Sequence, residues 1–436
     1  MKVLKFGGTS IGTPSRMQNL VDIVESQHTT KTIVVLSAIS GVTNNLQNIA
    51  DLLLADRKQE AIKLIDELQI KHLDYAKSLF SNKSSVEKEI KLRFQTLKCI
   101  ANQDFCSNQV GSILAFGELL STILFHRYLQ IVGKKTTLLY APDFMNINAN
   151  QQPNIQEISE NLIYLLNQHT KSEIIVTQGF ICKNHLNEID NLQRGGSDYT
   201  ASLIGAAINA EEIQIWTDID GFHNNDPRYV HNTKPIKFLS FDEAAELAYF
   251  GAKILHPQSI HPAKKYNIPV RLLDTLAPEL EGTQIFSKKK NQSRIVAIAG
   301  KDGITAIRIH SSRMLMAYGF LRKVFEVFEK YRTPIDMITT SEVAVSVTID
   351  STRYLTAIID ELQKYGQVQI DENQSIVCVV GDFSGDANGQ ATVVSDALKH
   401  LPVRMISYGG SEHNISMLLP QEHKVEALRS LHSRFF

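Results

Sequence analysis

The chain has 436 residues, enough for two or three domains. Hydrophobic residues make up 43% and charged residues 21%, as in an ordinary globular protein. The 45 basic and 46 acidic residues leave a net charge of −1, so no charge excess draws nucleic acid or an anionic membrane, and any anionic ligand needs a local site.

Four cysteines (Cys99, Cys106, Cys182, Cys378) lie without C-x-x-C spacing. That argues against a disulfide framework or structural zinc and fits a reducing cytoplasm. Glycines interrupt the N-terminus at position 7, which argues against a signal peptide. No apolar run is expected to reach the roughly 18 residues of a membrane span.

Residues 2–6 alternate as a strand and run into Gly7-Gly8-Thr9-Ser10. Glycines without Cβ let backbone N–H groups approach a phosphate, and Lys5 ends the strand at the same place. The lysine precedes the glycines, so this is not a Walker A loop. Strands follow at 32–39, 173–180 and 212–217, with helical patterns at 14–27, 198–209 and 242–253 and a mostly helical insertion over 44–130. This alternation predicts an α/β fold: a mainly parallel sheet sandwiched by helices, with ligands at the carboxyl ends of strands.

The segment 37–43 (Ser-Ala-Ile-Ser-Gly-Val-Thr) ends a strand in a glycine turn suited to a small anion. Phe116-Gly117-Glu118 puts an acid inside a helical run, where solvation alone would account for it. Arg194-Gly-Gly-Ser-Asp198 leads into a helix. Ser197 or Asp198 suits its cap, and a planar guanidinium beside a glycine turn suits a carboxylate or phosphate. Thr217 and Asp218, then Asp220, Asp226 and Arg228, follow a strand end and suit nucleotide with Mg²⁺, or simple Asx turns. Phe250-Gly-Ala-Lys253-Ile-Leu-His-Pro257 puts a lysine near a helix C-terminus. His256 and His261, at i,i+5, fall on different helix faces, which argues against a zinc pair.

The polar stretch 287–294 reads as a linker. Beyond it, strand-helix-strand-strand-helix occurs twice: 304–310, 319–331, 335–340, 343–349, 352–365, then 376–380, 391–401, 403–408, 414–419, 424–433. This is a ferredoxin-like pattern, and its sheet edges predict side-by-side pairing into a homo-oligomer. The expected domains are 1–287, 300–373 and 374–436.

Taken together, Lys-Phe-Gly-Gly-Thr-Ser, Ser-Ala-x-x-Gly-Val-Thr, Phe-Gly-Glu, Arg-Gly-Gly-Ser-Asp, Thr-Asp-x-x-Gly with Asp-Pro-Arg, and Phe-Gly-Ala-Lys-x-Leu-His-Pro resemble, in order, the aspartate kinases of the amino acid kinase family. The C-terminal repeats resemble ACT domains, which bind amino acids. The resemblance implies ATP-dependent phosphorylation of the β-carboxylate of L-aspartate, with Mg²⁺, as the first step toward lysine, threonine and methionine. It implies that Lys5 neutralises the transferring phosphoryl group, with Gly7, Gly8 and Ser10 cradling phosphate. Thr43, Glu118, Arg194 and Ser197 would hold aspartate, and Asp198 would orient the substrate ammonium and Lys5. Thr217, Asp218, Arg228 and Lys253 would contact ATP. The segment 334–342 resembles the effector site of lysine-sensitive members, implying that Met314, Asp336, Ser341 and Glu342 receive L-lysine as an inhibitor. Gln193 stands where the family has glycine, and Phe222-His223 where it has a tyrosine near the adenine. A non-catalytic amino-acid sensor and a different amino acid kinase are the alternatives. With no later G-x-G-x-x-G, a monofunctional enzyme is expected.

Overall fold

The computed structural model describes residues 1–27, 31–80, 84–192, 195–251, 255–287, 295–311, 318–384 and 389–436. By internal packing the chain forms two units. The first holds Met1–Phe222, Lys237–Phe241 and Leu255–Lys289; the second holds His223–Ile236, Asp242–Ile254 and Lys290–Phe436.

The first unit is built on β1 (Lys2–Phe6), β2 (Thr32–Leu36), β3 (Thr136–Leu139), β4 (Ile174–Gln178), a small hairpin of β5 (Ile181–Lys183) and β6 (Ile189–Asn191), β7 (Glu212–Thr217), β8 (Phe238–Ser240), β9 (Val270–Asp274) and β10 (Thr283–Phe286). Its main sheet runs β3-β4-β2-β1-β7-β9-β10-β8. Every pairing in it is parallel except β9 with β10. The central strands are continuous apolar runs because helices cover both faces. Thr32–Leu36 is buried at every position.

Those helices are α1 (Pro14–Ser26), α2 (Val42–Leu54), α3 (Lys58–Leu79), α4 (Ser84–Asn102), α5 (Val110–Leu114), α6 (Phe116–Ile131), α7 (Ile155–Gln168) and α8 (Gly196–Ile208). Then comes α10 (His261–Lys265), while α9 (Phe241–Phe250) belongs from Asp242 on to the second unit. Their starts follow ordinary capping chemistry. Thr13 accepts from the Arg16 N–H (3.3 Å) ahead of Pro14, and Gly41 and Gly195 open α2 and α8 at φ 80° and 81°.

Two expected strands end early. The run 32–39 stops at Leu36, because Ser37 and Ser40 turn to donate to the Phe6 and Gly8 carbonyls (both 3.2 Å). The run 173–180 stops at Gln178, because Phe180 adopts φ 66°. One expectation on membrane spans needs correcting. The helical run Ser107–Ile131 is long and apolar enough to cross a bilayer, yet most of it is buried inside the protein. In α6 everything from Phe116 to Phe125 is buried, which is why it reads apolar on all sides.

The second unit contains β11 (Ile295–His310), α11 (Phe320–Lys330), β12 (Ile338–Thr340), β13 (Ala344–Ile349), α12 (Leu355–Leu362), β14 (Gln367–Gly381), α13 (Gln390–Ala397), β15 (Met405–Ser407), β16 (Asn414–Pro420) and α14 (Lys424–Phe435). The element order is the doubled motif expected from sequence. Its strands form one antiparallel sheet, β12-β13-β11-β14-β16-β15. β11 and β14 are longer than their sequence signals, at 16 and 15 residues. Each passes through both halves: Ile295–Lys301 pairs with Ile376–Gly381, and Ile304–His310 with Gln367–Gln374, with shifts in register between. On α11, Phe320, Val324, Val327 and Phe328 share one face and fill a core with Val345, Val347 and Ile358.

Candidate active site

The site grows from the carboxyl end of β1. Lys5 is its penultimate residue, and its side chain is only 11% exposed. Its Nζ lies 2.6 Å from Oδ1 of Asp198, in the first turn of α8. A largely buried ammonium needs a counter-charge, and here that charge comes from a helix start. A Cβ built on Gly7 would lie 3.7 Å from the same Nζ, so the glycine leaves the ammonium uncovered. Gly8 answers a closer demand: its Cβ would fall 2.6 Å from the Ala38 carbonyl oxygen. The loop is further pinned by the Gly7 N–H donating to the Trp216 carbonyl (3.2 Å). Ser10 is 1% exposed, and its hydroxyl is directed to that carbonyl at 3.4 Å, with Thr275 Oγ1 at 3.3 Å. Ser10 therefore supports the loop from beneath.

Beside this loop is a cleft of about 430 Å³. Its walls bring together Gly8, Thr43, Glu118, Phe180 and Ser197 from five separate stretches of chain. Glu118 is not the solvated acid that its sequence context allowed. It is 3% exposed, its Oε1 accepts from the Ala38 N–H at 3.1 Å, and its Oε2 has no hydrogen-bond partner. Burial raises its carboxyl to about 8 against that bond. A buried acceptor open on one side suits a cationic group.

One residue of the cleft, Phe180, carries little sequence signal. Phe180 sits at positive φ, and its ring would meet a Cβ on Gly196 at 2.5 Å. A Cβ on Gly179 would meet Ser197 at the same distance. The β4 turn and the start of α8 are thus packed to backbone contact, which fixes Ser197 and Asp198. Gln178-Gly179-Phe180 after a strand was the available signal.

Thr217 closes β7, and its hydroxyl bonds Oδ1 of the exposed Asp218 at 3.2 Å. Phe222 is 1% exposed and donates its N–H to Thr283 Oγ1 (2.9 Å), so its ring is part of the core. Arg194 and Lys253 lie outside the described residues. Among the described residues no three His, Cys, Asp or Glu side chains converge as metal ligands.

Residues 1–274 match the amino acid kinase family. The chain belongs to that family. Residues 377–435 match the ACT domain, which gives this member the kinase fold followed by an ACT region. Over its whole length it is 33% identical to the lysine-sensitive aspartokinase 3 of Escherichia coli K12, covering 99% of that protein. It is also 33% identical to the chloroplastic aspartokinase 3 of Arabidopsis thaliana, covering 81% of it. The crystal structure of E. coli aspartokinase III with aspartate and ADP (R-state) superposes with a TM-score of 0.86 at 32% identity, all of both chains being covered.

In the second unit of this family member, Arg228 is forked onto Asp226, with Nε 3.0 and 3.1 Å from the two oxygens and Nη2 2.6 Å from Oδ2. That bond holds the Asp226 carboxyl below its usual range, against the opposing effect of burial. Among the expected effector residues, Asp336 has a side chain only 1% exposed. Its Oδ1 meets Lys301 Nζ at 2.8 Å and accepts from the Tyr249 hydroxyl at 2.5 Å, while Oδ2 has no hydrogen-bond partner. Ser341 bonds Ala344 within the turn between β12 and β13, and both Ser341 and Glu342 are exposed. Met314 lies outside the described residues.

Proposed function

We propose that the chain is an aspartate kinase, moving the γ-phosphoryl group of ATP onto the β-carboxylate of L-aspartate to give 4-phospho-L-aspartate. One observation carries the reading: a lysine, paired to a helix-start aspartate, ends a strand at a glycine turn beside a cleft holding a buried, half-satisfied glutamate. The whole-length likeness to a protein solved with aspartate and ADP supports it.

The acceptor carboxylate, with a pKa of about 4, is already ionised at neutral pH, so no general base is needed. The obstacle is the approach of two anions, and such transfers are catalysed by positioning and charge stabilisation. Lys5 supplies positive charge at the phosphoryl group, and Asp198 fixes where that charge stands. Gly8 offers its backbone amide to phosphate, while Gly7, its own N–H held by the Trp216 carbonyl, leaves Lys5 room, and Ser10 braces the loop. Glu118 takes the substrate ammonium, while Thr43, Ser197 and Arg194 hold its α-carboxylate side. Thr217, Asp218, Arg228 and Lys253 are assigned to ATP. Asp218 would help hold a nucleotide-bound Mg²⁺, which would supply positive charge to the phosphates; ions of this kind are held largely by phosphates and water, with one or two carboxylates.

We also assign L-lysine as inhibitor at Asp336, supported by the lysine-bound T-state of E. coli aspartokinase III, which superposes with a TM-score of 0.86 at 32% identity. Pairing through the short outer strands β12 and β15 would give a homodimer or a dimer of dimers. A coupled ADP-release assay tests the enzyme: turnover is expected with L-aspartate, not with L-glutamate, and is reduced by millimolar L-lysine. ATP turnover indifferent to aspartate would overturn the reading.

A further inference from the structure

Within the second unit, α9 is held to the antiparallel sheet at Glu246 and Tyr249, one turn apart, and at Gly251 just past its end. Glu246 accepts from Ser411 Oγ (2.8 Å), in the turn between β15 and β16, and from Asn414 Nδ2 (2.6 Å), which opens β16. Tyr249, one turn on, donates to Asp336 and lies beneath Lys301, whose Nζ is 4.4 Å from its ring centre. Gly251, just past the helix, approaches so closely that a Cβ there would stand 3.1 Å from the backbone N and O of Gly300. So α9 is fastened beside Asp336 by a phenol, a cation over its ring and a backbone contact. In the sequence Lys253 follows Gly251 after one residue, Ala252.

Lys301 is shared. Its Nζ is 2.8 Å from Asp336 and 2.9 Å from Asp350. Two carboxylates against one ammonium leave one negative charge in excess, and the open Oδ2 of the buried Asp336 marks where a cation fits. The Asp336 main chain is fixed, its N–H donating to the Thr348 carbonyl at 2.9 Å. An arriving ammonium would therefore act on the side chains that pair with Asp336, Lys301 and Tyr249. Two ammonium groups on one carboxylate repel each other. Asp350, 41% exposed, is a second partner already in place to keep Lys301.

We propose that Lys301 and Tyr249 are positioning residues that pass occupancy of the Asp336 site to α9. A ligand ammonium on Asp336 moves Lys301 toward Asp350 and off the Tyr249 ring, and it weakens the Tyr249 hydroxyl bond, loosening the hold on the helix that precedes Lys253. The inference rests on the effector reading of Asp336 and deepens it. A ligand shifts a conformation only by differential contacts, and these two side chains are the contacts that differ.

The test uses the full-length protein, with L-lysine as probe. Calorimetry gives lysine binding with and without aspartate plus a non-hydrolysable ATP analogue; the ratio of the two affinities is the coupling. Hydrogen exchange of residues 242–251 is followed with and without lysine. Wild type is expected to bind lysine, show coupling and change exchange in that segment. Tyr249→Phe keeps the ring but loses the hydroxyl bond. It is expected to keep basal turnover within about twofold and to bind lysine, while the coupling falls by about fivefold or more and the exchange change is lost. Lys301→Met is expected to do the same. Unaltered coupling and exchange in both variants, with wild type responding, would overturn the inference and leave the effector reading standing. Wild type that does not bind lysine would overturn the effector reading, and the inference with it.

Discussion

Lys5 Nζ and Asp198 Oδ1 stand 2.6 Å apart, joining the end of a central strand to the start of a helix 193 positions later in the chain. The pair is nearly dry, at 11% and 14% side-chain exposure, so its charge acts with little screening. Lys5→Met is expected to lower kcat by about 10²–10³-fold, the loss typical of one group that stabilises developing charge. Asp198→Asn leaves the ammonium but not its counter-charge, and a smaller loss is expected. Steady-state kinetics on variants with wild-type circular dichroism decide this; near-normal turnover of Lys5→Met removes Lys5 from the mechanism.

Glu118 gives a pH prediction with a definite sign. Its carboxyl titrates at about 8 in the folded chain, against 4.5 as the ordinary value. Between those values the folded state holds a proton that the unfolded state lacks. Stability contributed by this group is therefore full below the lower value and falls as pH rises through the window, by about 1.4 kcal/mol per pH unit. Glu118→Gln is expected to flatten that slope, becoming more stable than wild type at pH 9 in urea unfolding, while the KM for aspartate rises at least about tenfold. In wild type, aspartate binding at pH 7 is expected to release a proton, read as a dependence of calorimetric heat on buffer ionisation.

Gly8 and Gly41 are predicted to differ for steric reasons. Gly8 has ordinary helical φ (−62°), but its Cβ would meet the Ala38 carbonyl at 2.6 Å, a backbone atom that cannot step aside. Gly8→Ala is expected to cost about 1–3 kcal/mol and to abolish nucleotide binding by moving the loop. Gly41 has φ 80° with nothing within 4 Å of a built Cβ. Gly41→Ala is expected to cost only about 1–2 kcal/mol, and Gly41→Asn less, since asparagine visits that conformation readily. Thermal unfolding with nucleotide titration separates the two cases.

Arg228 has a side chain 75% exposed and tied to its neighbour Asp226. Arg228→Ala is expected to change stability by less than about 1 kcal/mol. The KM for ATP is expected to rise severalfold with kcat less affected. An unchanged KM would remove Arg228 from the nucleotide assignment.

Much of the site could be read from sequence because its demands are local. A glycine pair after an apolar strand and an Arg-Gly-Gly-Ser-Asp run opening a helix need only their own neighbours to be recognised, and the structure joins Lys5 to Asp198 across β1 and α8. Glu118 was harder. Its significance comes from burial and from the Ala38 N–H 80 residues earlier, which no local pattern encodes. Phe180 was missed because its role depends on left-handed backbone against a glycine 16 positions later. In the repeats, periodicity found the elements, but pairing partners set the strand lengths: Ile295–Lys301 is extended because Ile376–Gly381 lies beside it. The Lys301–Asp336–Tyr249 cluster joins three distant stretches; only Asp336, in the segment 334–342, had a signature, and Lys301 and Tyr249 had none.

The two longest strands of the C-terminal sheet belong to neither repeat alone. Severing the chain between residues 373 and 374 would cut β14 internally and strand the first seven residues of β11 beside a partner on the other fragment. The two repeats therefore share their longest strands and are expected to fold only as a single piece. A chimaera that imports the sensing half of a relative must import its companion too, or supply a replacement for the missing half-strands.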